Sequence, residues 1–135
     1  MDSHVANLAR RWFEEVWNAR RDEAIEELMA HDAIGHMEGG DVHGPDEFRK
    51  IRAVFLSGLP DLHITVEDVI SEGHQAVVRW RVRATHSGEL LGAQPTHRKV
   101  DFLGMSWVTV RHGKLAEGWD AWNLGGLLES LRADA

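Results

Sequence analysis

The hydrophobic pattern of this chain changes its period partway along, and this change defines the class of fold. Before residue 60 the apolar residues recur at helical spacing in three segments: 4–18, 22–30 and 45–60. Beyond that point they alternate, most clearly in QAVVRWRVRATHSG, where Val78, Trp80 and Val82 share one side of a strand. Helices followed by long strands with tight turns predict an α+β domain in which helices cover one face of an antiparallel sheet.

Length and charge limit the functions open to this domain. The 135 residues suit one domain, 1–135, without repeats or linkers. A net charge of −7 argues against nucleic acid and anionic membranes as partners. No apolar run approaches the roughly 20 residues that span a bilayer. There is no cysteine, and the first residues lack the apolar block of a secretory signal, so a cytoplasmic location is expected.

The last predicted strand ends in EGWDAWN, residues 117–123, which is unusually rich in polar and aromatic side chains. Alternation places Glu117, Trp119 and Asn123 on one face of the strand. Asp120 and Trp122 then lie on the opposite face, unless a β-bulge flips the register. Acids and indoles packed this closely often form the floor of a small-molecule pocket.

Stretches along nearly the whole chain carry a family resemblance. They include VWNARRDEAIEELMAHDAIGH near the start, THSG and PTH between the middle strands, and GKLAEGWDAWNLGGLL at the end. In these stretches the chain resembles the SnoaL-like polyketide cyclases, which have the nuclear transport factor 2-like fold. The resemblance implies a cone made of helices on a curved sheet, and an aldol ring closure that needs neither metal nor cofactor.

The resemblance also indicates where this chain departs from the family. The family's last strand reads E-x-W-x-x-x-D, and its aspartate is the acid/base. Glu117 and Trp119 match this pattern, whereas Asn123 stands in place of the aspartate. An amide cannot accept a carbon-bound proton, although it can stabilise a developing oxyanion. Asp120 is the nearest carboxylate, and it reaches the pocket only if the strand is bulged.

Asp101 is a second candidate base, at the start of the neighbouring strand. It shares a face with Leu103, Met105 and Trp107, and burial among them would raise the pKa of its carboxyl. Its alternative, and the favoured one, is a strand-end acid paired with Arg98 or Lys99.

Two histidines are further candidates for proton transfer. His86 continues the apolar face of its strand, so it is expected at the cavity mouth or, alternatively, bonded to loop backbone. His36 is expected either in the pocket or at the surface. The spacing of His31, His36 and His43 does not match a helical or strand pair of metal ligands, so no metal site is predicted.

The tryptophans predict a pocket for a hydrophobic, planar guest. Its expected walls are Trp17, Trp80, Trp107 and Trp119, with Glu117, although indoles fill cores equally well. Trp122 is expected on the outer sheet face, as an anchor for a homodimer.

Three functions follow from these features. The first is a cofactor-independent cyclase, isomerase or hydrolase acting on a hydrophobic, carbonyl-bearing substrate. The second is a protein that binds such a ligand without converting it, and the third is a dimeric partner-binding domain. A titrating group inside the cavity would favour the first.

Overall fold

The computed structural model describes residues 4–132, and its first three helices lie where the helical spacing predicts them. Their bounds are α1 His4–Arg11, α2 Asp22–Leu28, α3 Gly44–Gly58 and α4 Leu124–Arg132. A π-helical segment, Trp12–Asn18, continues α1 without a break. At its end the Ala19 N–H donates to the Glu14 carbonyl at 2.9 Å, five residues back, as π-helical turns do.

Six strands form one sheet beneath these helices. Their bounds are β1 Met29–Met37, β2 Gly40–His43, β3 His63–Glu72, β4 Gln75–Thr85, β5 Lys99–Arg111 and β6 Lys114–Trp122. The spatial order is β2-β1-β6-β5-β4-β3. Adjacent strands are antiparallel except for β1 and β6, which are parallel. The predicted α+β fold is confirmed, but the sheet is mixed, because the long connection from β1 to β6 lets the two strands run the same way.

A β-bulge in β6 decides which side chains face the helices. Thr109 of β5 pairs with Glu117, but the next residue, Val110, pairs with Leu115. Ala116 is therefore an extra residue without a partner on β5, and the strand changes face at that point. Leu115 points inwards before the bulge, and Gly118, Asp120 and Trp122 do so after it.

The hydrophobic core lies between the helices and the inner face of the sheet. Val78 and Val82 of β4 are almost fully buried there, against Leu8, Phe13 and Ile25 of the helices. On the opposite face Leu103, Met105 and Trp107 are exposed, so no helix within residues 4–132 covers them. The inner face is therefore where a ligand could be enclosed.

Candidate functional site

A cavity of about 150 Å³ lies within this core. Its walls are mainly apolar and include eight aromatic side chains: Trp12, Phe13, Trp17, Phe48 and Phe55 from the helical layer, and Trp80, Phe102 and Trp122 from the strands. Asp120 and Glu117 are its ionisable lining residues, and no Lys, Arg or His of the described chain lines it. The site is thus an apolar chamber with acidic groups at one wall.

Asp120 is the polar centre of the cavity. It is paired across β5 and β6 with Ser106, whose hydroxyl donates to Asp120 Oδ1 at 2.5 Å. The indole Nε1–H of Trp80 donates in turn to Ser106 Oγ at 3.0 Å. Burial raises the pKa of the Asp120 carboxyl, and the Ser106 hydrogen bond opposes part of that rise. A carboxyl with a raised pKa in an apolar cavity is the type of group that serves as a general acid or base.

Aromatic rings pack against one another in the same cavity wall as Asp120. Phe102 and Trp122 stack with ring centroids 4.7 Å apart, and the edge of Trp80 meets both rings. Trp122 was expected on the outer face, and that expectation is wrong, because the bulge at Ala116 turns it inwards. The chamber therefore offers flat apolar surfaces beside the Asp120 carboxyl.

The other tryptophans divide between the two faces of the sheet. Trp17 and Trp80 line the cavity, which is where the sequence places them. Trp107 and Trp119 do not line it: they lie on the outer face, 49% and 41% exposed, with ring centroids 6.5 Å apart. The expectation that both line the pocket is wrong, since the same bulge sets their face.

Glu117 lies at the boundary between the cavity and the outside of the sheet. Part of the residue forms cavity wall, while its carboxylate accepts from His36 Nε2 at 2.7 Å. Asp41 bonds His36 Nδ1 at 2.9 Å, and the ring stacks on Trp119 at 5.3 Å. Glu117, followed by Asp41, raises the pKa of His36. His36 is outside the cavity, in agreement with the surface alternative.

Asp101 lies on the outer face, where its carboxylate bonds Arg81 at 2.7 Å and Arg83 at 3.4 Å. These guanidinium groups, Arg81 above all, lower the pKa of Asp101. The hypothesis of a buried base is wrong, because the face that Asp101 shares with Leu103 and Met105 is the exposed one. Its partners belong to the adjacent strand and are not Arg98 or Lys99.

His86 is fully buried but does not line the cavity. Its Nδ1 bonds the Thr96 hydroxyl at 2.9 Å and the Thr96 backbone N–H at 3.2 Å. The ring thereby joins the two ends of the connection between β4 and β5. This placement corrects the cavity-mouth expectation and resembles the loop-bound alternative, with the bonds made to Thr96.

Asn123 is not in the cavity either. It follows the last residue of β6, and its Oδ1 accepts from the Gly126 N–H at 2.8 Å. That geometry is an N-cap for α4. The expected place of Asn123 on the pocket strand is corrected, because the strand has already ended there.

Metal binding and membrane insertion find no support in residues 4–132. No cluster of three or more His, Asp or Glu in that range is arranged to hold a metal ion. None of its helices is both long and apolar enough to cross a membrane.

The helices and the curved sheet together form a nuclear transport factor 2-like cone. The chain belongs to the SnoaL-like polyketide cyclase family, whose family model matches residues 7–131. No protein with a curated description matches it significantly.

Three solved structures illustrate this relationship. AclR, a proposed hydroxylase from Streptomyces galilaeus, is 28% identical with a TM-score of 0.82, over 94% of this chain and 80% of AclR. IdmH, a proposed polyketide cyclase from Streptomyces antibioticus, is 26% identical with a TM-score of 0.84, over 97% of this chain and 100% of IdmH. A SnoaL-like protein from Jannaschia sp. CCS1 is 24% identical with a TM-score of 0.91, over 100% of this chain and 99% of its own.

Ser106 is the site residue that sequence reasoning missed. Its hydrogen-bond partner is Asp120 on the neighbouring strand. The pairing of Ser106 with Asp120 can be predicted only from the register between β5 and β6, and that register depends on the position of the bulge.

Proposed function

We propose that this protein is an acid/base enzyme in which Asp120 removes a proton next to the carbonyl of a hydrophobic small molecule. The observation that supports this function is the carboxyl in an aromatic chamber, with its pKa raised by burial. Groups with such pKa values inside cavities are frequent at catalytic centres. Membership of the cyclase family agrees with this chemistry.

The lining of the cavity favours a neutral substrate. Its two ionisable residues are acids, and no basic side chain of the described chain faces it, so a carboxylate or phosphate would be bound unpaired. The volume of about 150 Å³ matches that of apolar cavities of about 150 Å³ that hold a benzene molecule. Pockets for larger ligands measure roughly 300 Å³ or more, so a substrate of one or two rings fits this site.

The reaction needs only one group that exchanges a proton. The Asp120 carboxylate takes the proton, the C–H bond breaks, and its electron pair forms an enolate with the carbonyl oxygen. The enolate then attacks a second carbonyl of the same molecule, or takes the proton back at another carbon. In the first case Asp120 returns its proton to the new alkoxide.

The absence of a cofactor stays a prediction, as does the cytoplasmic location.

Deuterium exchange into a neutral ketone tests this proposal. Indan-2-one in D₂O loses its carbon-bound protons slowly, and proton NMR follows the loss. We expect the wild type to accelerate the exchange. In Asp120→Asn the acceleration should fall by roughly 10²-fold or more. Asp101→Asn is the matched control, because it neutralises an exposed aspartate outside the cavity. It should exchange at the wild-type rate.

The same assay separates the alternatives. Indan-2-one that binds, with its NMR signals broadened by the protein, but exchanges no faster than in buffer would indicate the ligand-binding function. Equal rates for wild type and Asp120→Asn would refute the role of Asp120. Acceleration lost equally in Asp101→Asn would do the same.

We also propose that the outer sheet face joins two copies of this chain. One row of paired residues crosses this face: Ile70, Val77, Trp107 and Trp119. Leu103 and Met105 lie beside the row, 56% and 52% exposed. Arginines and acids flank these apolar side chains, so a two-fold related copy can place opposite charges together. Trp107 and Trp119 replace Trp122 as the anchors of the dimer.

A further inference from the structure

We propose that Ser106 is a positioning residue for Asp120: supported by Trp80, it holds Oδ1 and leaves Oδ2 as the oxygen that exchanges a proton with the ligand. This inference rests on the proposed function of Asp120 and adds the residue that orients it. Ser106 is 4% exposed and lines the cavity, so few hydrogen-bond partners are within reach of its hydroxyl.

The direction of the hydrogen bonds follows from the chemistry of the donors. The Trp80 indole nitrogen can donate and cannot accept. The Ser106 oxygen therefore accepts from Trp80, at 3.0 Å, and its one proton is free to point at Asp120 Oδ1, at 2.5 Å. Asp120 Oδ1 is thereby fixed as an acceptor.

The position of the exchangeable proton follows in turn. If the protonated carboxyl carried its proton on Oδ1, that proton would face the Ser106 hydroxyl, whose own proton would then lose its partner inside an apolar wall. An unsatisfied buried donor is costly. The acid proton of Asp120 is therefore placed on Oδ2, the oxygen that Ser106 does not hold.

The two sheet neighbours of Gly104 explain why this chain of bonds forms. Gly104 pairs with Trp80 on one side and with Trp122 on the other. A Cβ atom at position 104 would lie 2.2 Å from the Trp80 ring, so the missing side chain lets the indole lie across β5. In that position its Nε1 reaches Ser106, two residues further along the strand.

Ser106 also adjusts the proton affinity of the carboxyl. A hydrogen bond donated to a carboxylate stabilises the charged form, against the effect of burial. Removing the hydroxyl should raise the pKa of Asp120 further and make it a poorer base at neutral pH. A purely structural role for Ser106 would alter stability without altering this pKa.

The test is a ¹³C NMR titration of the Asp120 carboxyl in ligand-free protein labelled at the aspartate Cγ. We expect Ser106→Ala to raise the pKa by about one pH unit, the effect of losing a charge-assisted hydrogen bond. Ser106→Thr keeps the hydroxyl and should restore the wild-type value. Thr109→Val is the matched control, because it removes a hydroxyl from the outer face of the same strand.

Each outcome decides the proposal. An unchanged pKa in Ser106→Ala, or an equal rise in Thr109→Val, would overturn it. If Ser106→Ala does not fold, Trp80→Phe provides the second variant: it frees the Ser106 hydroxyl to rotate, so a smaller rise is expected and no rise would refute the bond chain. Because no substrate is used, this result stands apart from the exchange assay, which alone tests catalysis.

Discussion

Asp120 and Asn123 are three residues apart, yet they occupy different chemical environments. Asp120 faces the aromatic cavity and is bonded by Ser106. Asn123 is exposed and bonds the backbone of the helix that follows it. The amide therefore does not stand in for a catalytic acid in this fold, because its side chain is already committed to capping α4.

Replacing Asn123 tests this distinction. Asn123→Ala removes the N-cap and should lower the free energy of unfolding by about 1 kcal/mol, while Asn123→Asp should retain the stability. Thermal denaturation measures both. The deuterium exchange rate of folded Asn123→Ala should equal that of the wild type. Lost exchange at unchanged stability would instead place Asn123 in the reaction.

At the level of the elements, helices and strands could be read from the sequence because their periodicity is a local property. The face that each strand buries was harder to predict. In β5 both alternating sets include large apolar residues, so alternation could not tell that Phe102 and Ser106 face inwards while Asp101 and Trp107 face outwards.

In β6 the difficulty was the extra residue, Ala116. Its bulge is visible only in the pairing with β5, and it determines the face of every later residue of the strand. Alternation without the bulge therefore predicts Trp119 on the inner face and Trp122 on the outer face, which is the reverse of the structure. It also directs Asp120 away from the cavity. The parallel pairing of β1 with β6 could not be predicted from the sequence either, because it depends on long-range packing.

At the level of the whole molecule, one sheet presents two faces of different character. Its inner face and the helices enclose the cavity, and its outer face presents apolar residues to solvent. Exposed apolar surface of this kind is typical of interaction sites. A dimer formed through the outer face would leave the cavities of both copies intact.

Sedimentation velocity tests the proposed dimer. The wild type should sediment as a dimer, and Trp107→Glu as a monomer, because the new charge would be buried at the centre of the interface. Val54→Glu is the matched control: Val54 is an exposed apolar residue of α3, away from the sheet. A monomeric wild type, or a dimer that persists in Trp107→Glu, would show that this face does not join two copies.

The central claim is that the folded chain holds Asp120 as a carboxyl whose pKa is raised by burial, so that it can exchange a proton with a ligand. Because burial raises the pKa of Asp120 above its value in the unfolded chain, the folded state binds the carboxyl proton of Asp120 more tightly than the unfolded state does. The contribution of Asp120 to stability is therefore most favourable below about pH 4, the unfolded value, and falls as the pH rises through the folded pKa.

The most direct measurement is the ¹³C NMR titration of Asp120 in the wild type, assigned by the signal missing from Asp120→Asn. We predict a pKa well above that of an ordinary aspartate, and above that of the exposed Asp101, whose pKa its arginine partners lower. An Asp120 carboxyl that titrates at or below about 3.9, as in an unstructured peptide, would contradict the account.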